Sequence, residues 1–239
     1  MPSASDPASV PSEVVAVVRR YHRAERAASW LVALLVVAVA LTAIRTLDLL
    51  PATLAVLALV AVVRVPAVRR GGHTRLTTDA DPATVASDFR SVTPPVLAFQ
   101  WGIADGITTN DERTGEEFDG FSTTRATYEF SYLLGLRSVS MDLTVRSARS
   151  EGVERAVENG DEAVETLEVS ATAGGRPWGT YRVSIREGDG ETVVDVESTT
   201  DRRFDLRSVP QALVAERYFG AALAAQGYRV VDRDVSWSM

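Results

Sequence analysis

Two almost uninterrupted apolar stretches lie near the N-terminus of the chain, at residues 27–44 and 47–63. A helix over either stretch is about 25 to 27 Å long at 1.5 Å per residue, close to the roughly 30 Å hydrocarbon core of a bilayer. A soluble helix normally carries a polar stripe, and both stretches lack one. The pattern predicts a transmembrane hairpin that turns at residues 45–48. The alternative is a buried helical pair inside a soluble protein.

The distribution of arginine predicts how this hairpin is oriented. Only Arg45 lies in the turn, where Asp48 offsets its charge, and Trp30 lies where an interfacial aromatic is expected. The other arginines flank the hairpin on the side of the chain ends: Arg19, Arg20, Arg23, Arg26, Arg64, Arg69 and Arg70. Excess arginine marks the cytoplasmic side. We therefore expect a cell-membrane protein with two spans, both termini in the cytoplasm and a cytoplasmic domain at residues 72–239.

Residues 1–26 are expected to form a separate cytoplasmic juxtamembrane segment, with a short amphipathic helix at residues 12–26. Val14, Val17, Val18 and Tyr21 recur at helical spacing and form one apolar stripe among arginines. Such a helix is expected either to lie along an anionic lipid surface or to continue the first span into the cytoplasm. Residues 27–71 then comprise the hairpin and a joint, for which the Arg-Arg-Gly-Gly-His sequence of 69–73 predicts flexibility.

Beyond residue 120, apolar and polar residues alternate in five segments, which predicts strands with one face in water. The segments are residues 125–132, 138–146, 167–171, 181–185 and 194–196. Gly174-Gly175 and the sequence 187–190 are expected to be hairpin turns. The five strands should therefore pair in chain order as an antiparallel meander.

One helix is predicted before this meander in the sequence, and another after it. Asp81-Pro82 begins one after a short strand at 74–78, with Asp as the N-cap and Pro at the first helical position. A longer helix at 209–226 begins at an expected capping box of Ser208 and Gln211 and ends at Gly227. A last strand is expected at 228–237. The fold class is therefore α+β: an antiparallel sheet with one long packed C-terminal helix, behind a two-helix hairpin.

This order of elements resembles the START-like, helix-grip superfamily over residues 74–227. The resemblance rests on the strand, the Asp81-Pro82-Ala83-Thr84-Val85-Ala86-Ser87-Asp88-Phe89 helix start, the meander and the late helix. It implies an apolar cavity between sheet and helix that binds lipids or other hydrophobic ligands, and some members are cyclases or hydrolases. The chain departs from the family because a strand follows the long helix. No catalytic residue is carried over.

Composition excludes several kinds of chemistry. The chain has no cysteine, and all 25 of its basic residues are arginine. It therefore lacks a thiolate nucleophile, a Schiff-base lysine, a P-loop lysine and cysteine-ligated metal centres. The two histidines, His22 and His73, have no neighbours in sequence that suggest a metal site or a triad, so no cofactor or metal is expected.

Charge is divided unevenly along the chain. Residues 1–71 carry 8 arginines and 4 acids, whereas residues 72–239 carry 17 arginines and 28 acids. The acidic domain argues against nucleic acid as a partner. Acid excess without lysine is typical of salt-loving archaeal proteins. Residues 110–120 fail the EF-hand pattern, so they and the acidic stretch 151–165 are expected to be solvated loops.

The expected ligand cavity has an aromatic wall made of Tyr128, Phe130 and Tyr132, opposite Tyr218. Ordinary core packing is the alternative for these side chains. The leading hypothesis is a membrane-anchored binding or scaffolding module whose partners are the bilayer and a hydrophobic small molecule. The alternatives are a partner-binding subunit of a membrane complex and a carboxylate-dependent enzyme.

Overall fold

The computed structural model describes residues 12–109, 121–132, 137–149, 164–200 and 203–238. The helices are α1 Ser12–Thr46, α2 Leu49–Arg64, α3 Pro82–Arg90, α4 Ala98–Trp101 and α5 Val209–Ala224. The strands are β1 Pro66–Thr78, β2 Gly106–Thr109, β3 Phe121–Tyr132, β4 Arg137–Arg149, β5 Glu165–Ala173, β6 Arg176–Glu187, β7 Thr192–Thr199, β8 Phe204–Asp205 and β9 Arg229–Ser238. The predicted α+β class is confirmed.

All nine strands belong to one antiparallel sheet. Strands β2 to β7 pair in chain order, and β1 lies between β7 and β9. The start of β1 also pairs with the short strand β8. The meander predicted from alternation is confirmed. The strand after the long helix also forms, and it covers the edge of β1 that β7 leaves open.

One face of the sheet holds the core, as the alternation of residues predicts. Its fully buried side chains include Tyr128 of β3, Leu143 of β4, Val169 of β5 and Ile185 of β6. Each belongs to the alternating row of its strand that faces the core. Helix α3 covers part of this face with Val85 and Phe89. A strand has a period of two residues, so a one-residue slip would expose every one of these side chains.

Three of the predicted local signals for turns and helix ends are confirmed. Gly174 and Gly175 have φ of 57° and 73°, which suits the two-residue turn between β5 and β6. The Asp81 carboxylate accepts a hydrogen bond from the Thr84 N–H at 2.9 Å. Gly227 ends α5 with φ of 86°, as expected of a left-handed cap.

The predicted flexible joint at 69–73 is wrong, because these residues form the middle of β1. Gly71 pairs with Thr199 on one side and with Ser236 on the other. At Gly72, an added Cβ atom would lie 2.3 Å from the carbonyl oxygen of Asp234. Gly72 is therefore needed because β9 approaches closely, and a Cβ at Gly71 would lie 3.2 Å from the carbonyl oxygen of Ser198 in β7.

The predicted capping box at the start of α5 is also wrong. The Ser208 side chain donates to the Asp205 carboxylate and leaves the N-terminus of the helix without a side-chain cap. Gln211 instead donates to the Ser29 hydroxyl of α1 at 2.7 Å. A short 3₁₀ turn at Leu206–Ser208 leads into α5, and its helical backbone keeps Ser208 from the extended geometry of a cap.

Helix α1 is one continuous helix of 35 residues. Residues 12–26 therefore continue directly into the first apolar stretch, which was one of the two alternatives expected for them. The predicted stripe does not face lipid. Val14 and Val18 are fully buried against the domain, and the Tyr21 ring lies 4.2 Å from the ring of Phe99. Gly102 makes the close approach possible, because an added Cβ there would lie 2.9 Å from a methyl group of Val18.

The second half of α1 is exposed and apolar. It is the one helix in the described residues that is both long and apolar enough to span a membrane. Helix α2 is also apolar but has only 16 residues, and it contacts α1 after a turn at residues 47–48. Leu34 of α1 is 62% exposed and Leu49 of α2 is 85% exposed, so these apolar side chains lie outside the core of the domain.

Candidate functional site: a cavity between sheet and helix

A cavity of about 450 Å³ lies between the core face of the sheet, α5 and the buried half of α1. This volume is within the range of small-molecule sites. Small residues on α5, Ala212 and Ala215, keep the helix backbone close to the sheet without filling the space. Much of the wall is apolar, and its larger members are Phe99, Phe130, Val139, Met141, Trp178, Tyr181, Val196, Phe204 and Phe219.

A charged cluster forms one side of this cavity. The Glu216 carboxylate accepts hydrogen bonds from Arg70 of β1 and from Arg233 of β9. Arg233 also donates to the Thr74 hydroxyl at 2.6 Å, and its guanidinium lies 3.7 Å from the centre of the Phe219 ring. The cluster therefore ties α5 to two strands and carries two positive charges against one negative charge.

Burial raises the pKa of Glu216, but the hydrogen bonds and charges of Arg233 and Arg70 outweigh it and hold the pKa below its ordinary value. The carboxylate is therefore ionised at neutral pH. Both arginines share this one carboxylate, and the acidic residues Glu25 and Asp234 also line the cavity, so the two guanidinium groups act there as hydrogen-bond donors without an excess of positive charge.

Tyr181 presents the other polar group of the cavity wall. Its hydroxyl makes no hydrogen bond to any residue that the structure describes, although the side chain lines the cavity. Burial raises the pKa of Tyr181 to about 12, while the nearby charges of Arg70 and Arg233 lower it. The hydroxyl is therefore protonated at neutral pH and is free to donate to an oxygen atom of a ligand.

The four residues predicted for the cavity wall lie in different places. Phe130 lines the cavity. Tyr128 is fully buried in the core, and its hydroxyl donates to the Val92 carbonyl at 2.6 Å. Tyr218 faces α1, with its ring 6.4 Å from that of Tyr21. Tyr132 ends β3, and its side chain lies outside the described part of the structure.

Sequence reasoning missed the residues that give the cavity its polar side. Arg233 lies in a strand that the START-like resemblance does not include. Nothing in the sequence distinguishes Glu216 from the other acidic residues of the domain. The available signal was an alternation in β9, where Arg233 and Val235 share a face and line the cavity. Trp178 and Phe219 were among the aromatics of the sequence, but no pattern distinguished them from the core.

The arginines predicted at the membrane interface divide into two groups. Arg70 points into the charged cluster of the cavity. The remaining ones are exposed, as is Trp30 at 70%: Arg19, Arg20, Arg23, Arg26, Arg64 and Arg69. The acidic loop at 110–120 lies outside the described residues, as does most of 151–165. Within the described residues, no group of acidic or histidine side chains is arranged to hold a metal ion.

No protein-family model matches the chain, and no curated protein matches it by sequence. Among solved structures, it is similar to Ara h 8.0201, with 11% identity and a TM-score of 0.37 over 64% of this chain and 95% of that one. It is also similar to the Zhui aromatase/cyclase from Streptomyces sp. R1128, with 13% identity and a TM-score of 0.33 over 66% and 90% of the two chains. Because such scores are low, membership of the START-like superfamily stays a prediction.

Proposed function

We propose that this protein is a membrane-anchored module whose α+β domain binds a hydrophobic small molecule. The observation that carries the proposal is the cavity of about 450 Å³ between the sheet and α5, with a largely apolar wall and two positively charged side chains on one side. An apolar wall with a few convergent polar groups is typical of sites that bury small molecules. The START-like resemblance of the sequence supports the same function.

The charged side of the cavity defines the class of ligand. Arg70 and Arg233 share the charge of Glu216, and the Tyr181 hydroxyl is an unused donor. As hydrogen-bond donors, these groups favour an oxygen acceptor at one end of the ligand. The ligand class is therefore an amphiphile with an apolar body and a carboxylate or carbonyl end.

The anchor is formed by the exposed apolar half of α1, and we propose that α2 completes a two-span hairpin. Arginine flanking both helices supports a cytoplasmic position for both termini. Arg45 and Arg64, at the C-terminal ends of the two helices, can extend to the headgroup region and compensate for the short length of α2. The domain then lies at the membrane surface.

A photoreactive fatty acid tests ligand binding directly. The full chain is reconstituted in lipid nanodiscs with a diazirine-labelled fatty acid, irradiated and digested, and the labelled peptides are identified by mass spectrometry. We expect adducts on cavity residues such as Phe219 and Trp178 in addition to adducts on the exposed half of α1. Adducts on α1 alone would contradict the proposal, because they would show contact with the bilayer but not with the cavity.

Two variants of α5 provide a matched pair for this experiment. Ala215→Trp places an indole in the cavity, whereas Leu213→Trp places one on the outer face, where Leu213 is 59% exposed. We expect Ala215→Trp to remove the cavity adducts and Leu213→Trp to keep them. The adducts on α1 should persist in both variants and serve as an internal control for reconstitution.

A second function, binding of a protein partner, is favoured by the outer edge of the sheet. Strand β9 pairs with β1 on one side, and no described strand pairs with its other side. Val231 and Trp237 of this strand are 58% and 40% exposed. An open edge with exposed apolar side chains suits strand addition by another chain. Co-purification of a stoichiometric partner that Val231→Lys abolishes would support this function, and a monodisperse monomer would contradict it.

A further inference from the structure

We propose that a groove between α1 and the end of the sheet binds the headgroup of an anionic phospholipid. The inference rests on the membrane anchor of the proposed function, and it concerns a groove that adjoins the ligand cavity and shares Glu25, Ile103 and Phe130 with it. The groove has a volume of about 1000 Å³ and is open to solvent. It is lined by α1 on one side and by residues around α4 and β3, including Ile103 and Phe130, on the other.

Three arginines of α1 line this groove without a carboxylate partner. Arg19, Arg23 and Arg26 form no ion pair with any residue in the described part of the chain, and all three are exposed. The Arg23 guanidinium makes only a 3.4 Å contact with the backbone oxygen of Arg19. Since guanidinium groups bind phosphate oxygens in a bidentate manner, three of them along one groove form a site for a phosphate ester.

The two carboxylates of the groove each have a polar neighbour. The Glu25 carboxylate lies 3.4 Å from His22 Nδ1. The Asp105 carboxylate accepts a hydrogen bond from the Ser131 backbone N–H at 2.6 Å. The three arginines and two carboxylates of the groove leave one excess positive charge among these five groups, which matches the single negative charge of a phosphodiester.

The position of the groove along α1 favours a lipid over a soluble phosphate. The arginines precede the exposed apolar half of the helix, and the groove continues past them to Trp30 and Ala33. At 1.5 Å per residue, Ala33 lies about 10 Å beyond Arg26 along the helix. The polar headgroup layer on one side of a bilayer is only about 5 to 8 Å thick, so the chains of a lipid whose phosphate binds at Arg26 begin before Ala33. The apolar end of the groove would contact those chains, which free phosphate does not have.

Two triple variants separate this groove from general surface charge. R19Q/R23Q/R26Q removes the three groove arginines. R20Q/R64Q/R69Q removes three exposed arginines near the proposed interface that do not line the groove. Both variants lose the same charge, so any difference between them reports the groove. All six side chains are exposed, and we therefore expect both variants to unfold at the wild-type temperature.

The experiment is native mass spectrometry of the full chain released from nanodiscs of phosphatidylglycerol and phosphatidylcholine. We expect one retained phosphatidylglycerol per wild-type chain, an at least tenfold loss in R19Q/R23Q/R26Q, and less than a twofold change in R20Q/R64Q/R69Q. Equal loss in both variants, or no preference for phosphatidylglycerol in the wild type, would overturn the inference. Displacement of the lipid by inorganic phosphate at equal concentration would also overturn it.

Failure of this inference is distinguishable from failure of the proposed function. A chain that labels in the cavity with the diazirine fatty acid but shows no headgroup preference loses the groove site alone. A chain that retains phosphatidylglycerol through its groove arginines but shows no cavity adducts keeps the groove site and loses the proposed ligand. The Ala215→Trp variant should retain phosphatidylglycerol as the wild type does, because Ala215 does not line the groove.

Discussion

The two halves of α1 carry apolar side chains that face different surroundings. In the first half, Val14, Val18 and Tyr21 form one stripe, and all three are buried against the domain. In the second half, apolar residues cover the whole circumference, and Trp30 and Leu34 are largely exposed. The width of the apolar surface on a helix therefore indicates its surroundings. A narrow stripe packs on protein, whereas an apolar surface around the whole circumference suits lipid.

The largest expected effect comes from placing the same charge in each half. Val18→Asp puts a carboxylate into the core beside Gly102, and we expect the free energy of unfolding to fall by more than about 3 kcal/mol. Leu34→Asp should leave the domain as stable as the wild type. Thermal unfolding in detergent measures both.

The same pair of variants gives the opposite result in a membrane assay. An aspartate at the centre of a span costs about 3 kcal/mol of insertion free energy. Leu34→Asp should therefore reduce the fraction of the chain found in membranes, whereas refolded Val18→Asp should not. A domain that Leu34→Asp destabilises as much as Val18→Asp would remove the distinction between the two halves.

A second prediction concerns the connection between the apolar helices and the domain. Gly72→Ala would force the β1 and β9 backbones apart, because the new Cβ lies 2.3 Å from the Asp234 carbonyl oxygen. We expect a loss of about 2 to 3 kcal/mol in the free energy of unfolding. Gly106→Ala is the control, since the nearest atom to its added Cβ is 3.9 Å away. Equal stability of the two variants would restore the flexible joint of the sequence prediction.

The glycines of β1 also show how far the sequence predicts the fold. Strands β3 to β7 could be predicted because each buries one face, and this burial is visible as alternation within a few residues. The Gly71-Gly72 pair indicates a joint when only the sequence is considered. The close contact that requires glycine at position 72 is with β9, more than 150 residues away in the chain. Arg233 escaped prediction in the same way, since its partner Glu216 is identified only when α5 and β9 are brought together.

A third prediction tests the charged cluster of the cavity through pH. Because the pKa of Glu216 is lowered in the folded state, its contribution is present above its unfolded value of about 4.3 and is lost as pH falls through the folded value. Glu216→Gln should therefore be less stable than the wild type by about 2 kcal/mol at pH 7. The difference should shrink below a pH of about 4. Urea unfolding across this range measures it.

An exposed ion pair is the control for the cluster. Glu191→Gln removes the partner of Arg229, whose side chain is 66% exposed, and it should cost at most about 0.5 kcal/mol at any pH. A pH-independent loss in Glu216→Gln would show that packing of the side chain, and not its charge, holds α5 to β1 and β9.

Apart from the control variants, the smallest expected effect lies at the border between the two halves of α1. Gln211 of α5 donates to the Ser29 hydroxyl at 2.7 Å, one residue before the exposed Trp30. Gln211→Ala should cost about 1 kcal/mol. Ser29→Ala also removes the hydrogen bond from this hydroxyl to the Glu25 carbonyl oxygen at 2.9 Å. The double variant should cost less than the sum of the two single losses, because both single variants remove the same Gln211–Ser29 hydrogen bond. Additive losses would show that the two side chains stabilise the fold independently.

The most direct test of the membrane anchor is to measure whether lipid or water surrounds each half of α1. The chain has no cysteine, so single cysteines at positions 20, 34 and 41 can each carry one nitroxide label in lipid vesicles. We predict that labels at 34 and 41 collide with oxygen and are shielded from a water-soluble nickel reagent, whereas the label at 20 is accessible to nickel. Nickel accessibility at 34 and 41 equal to that at 20 would contradict the membrane anchor.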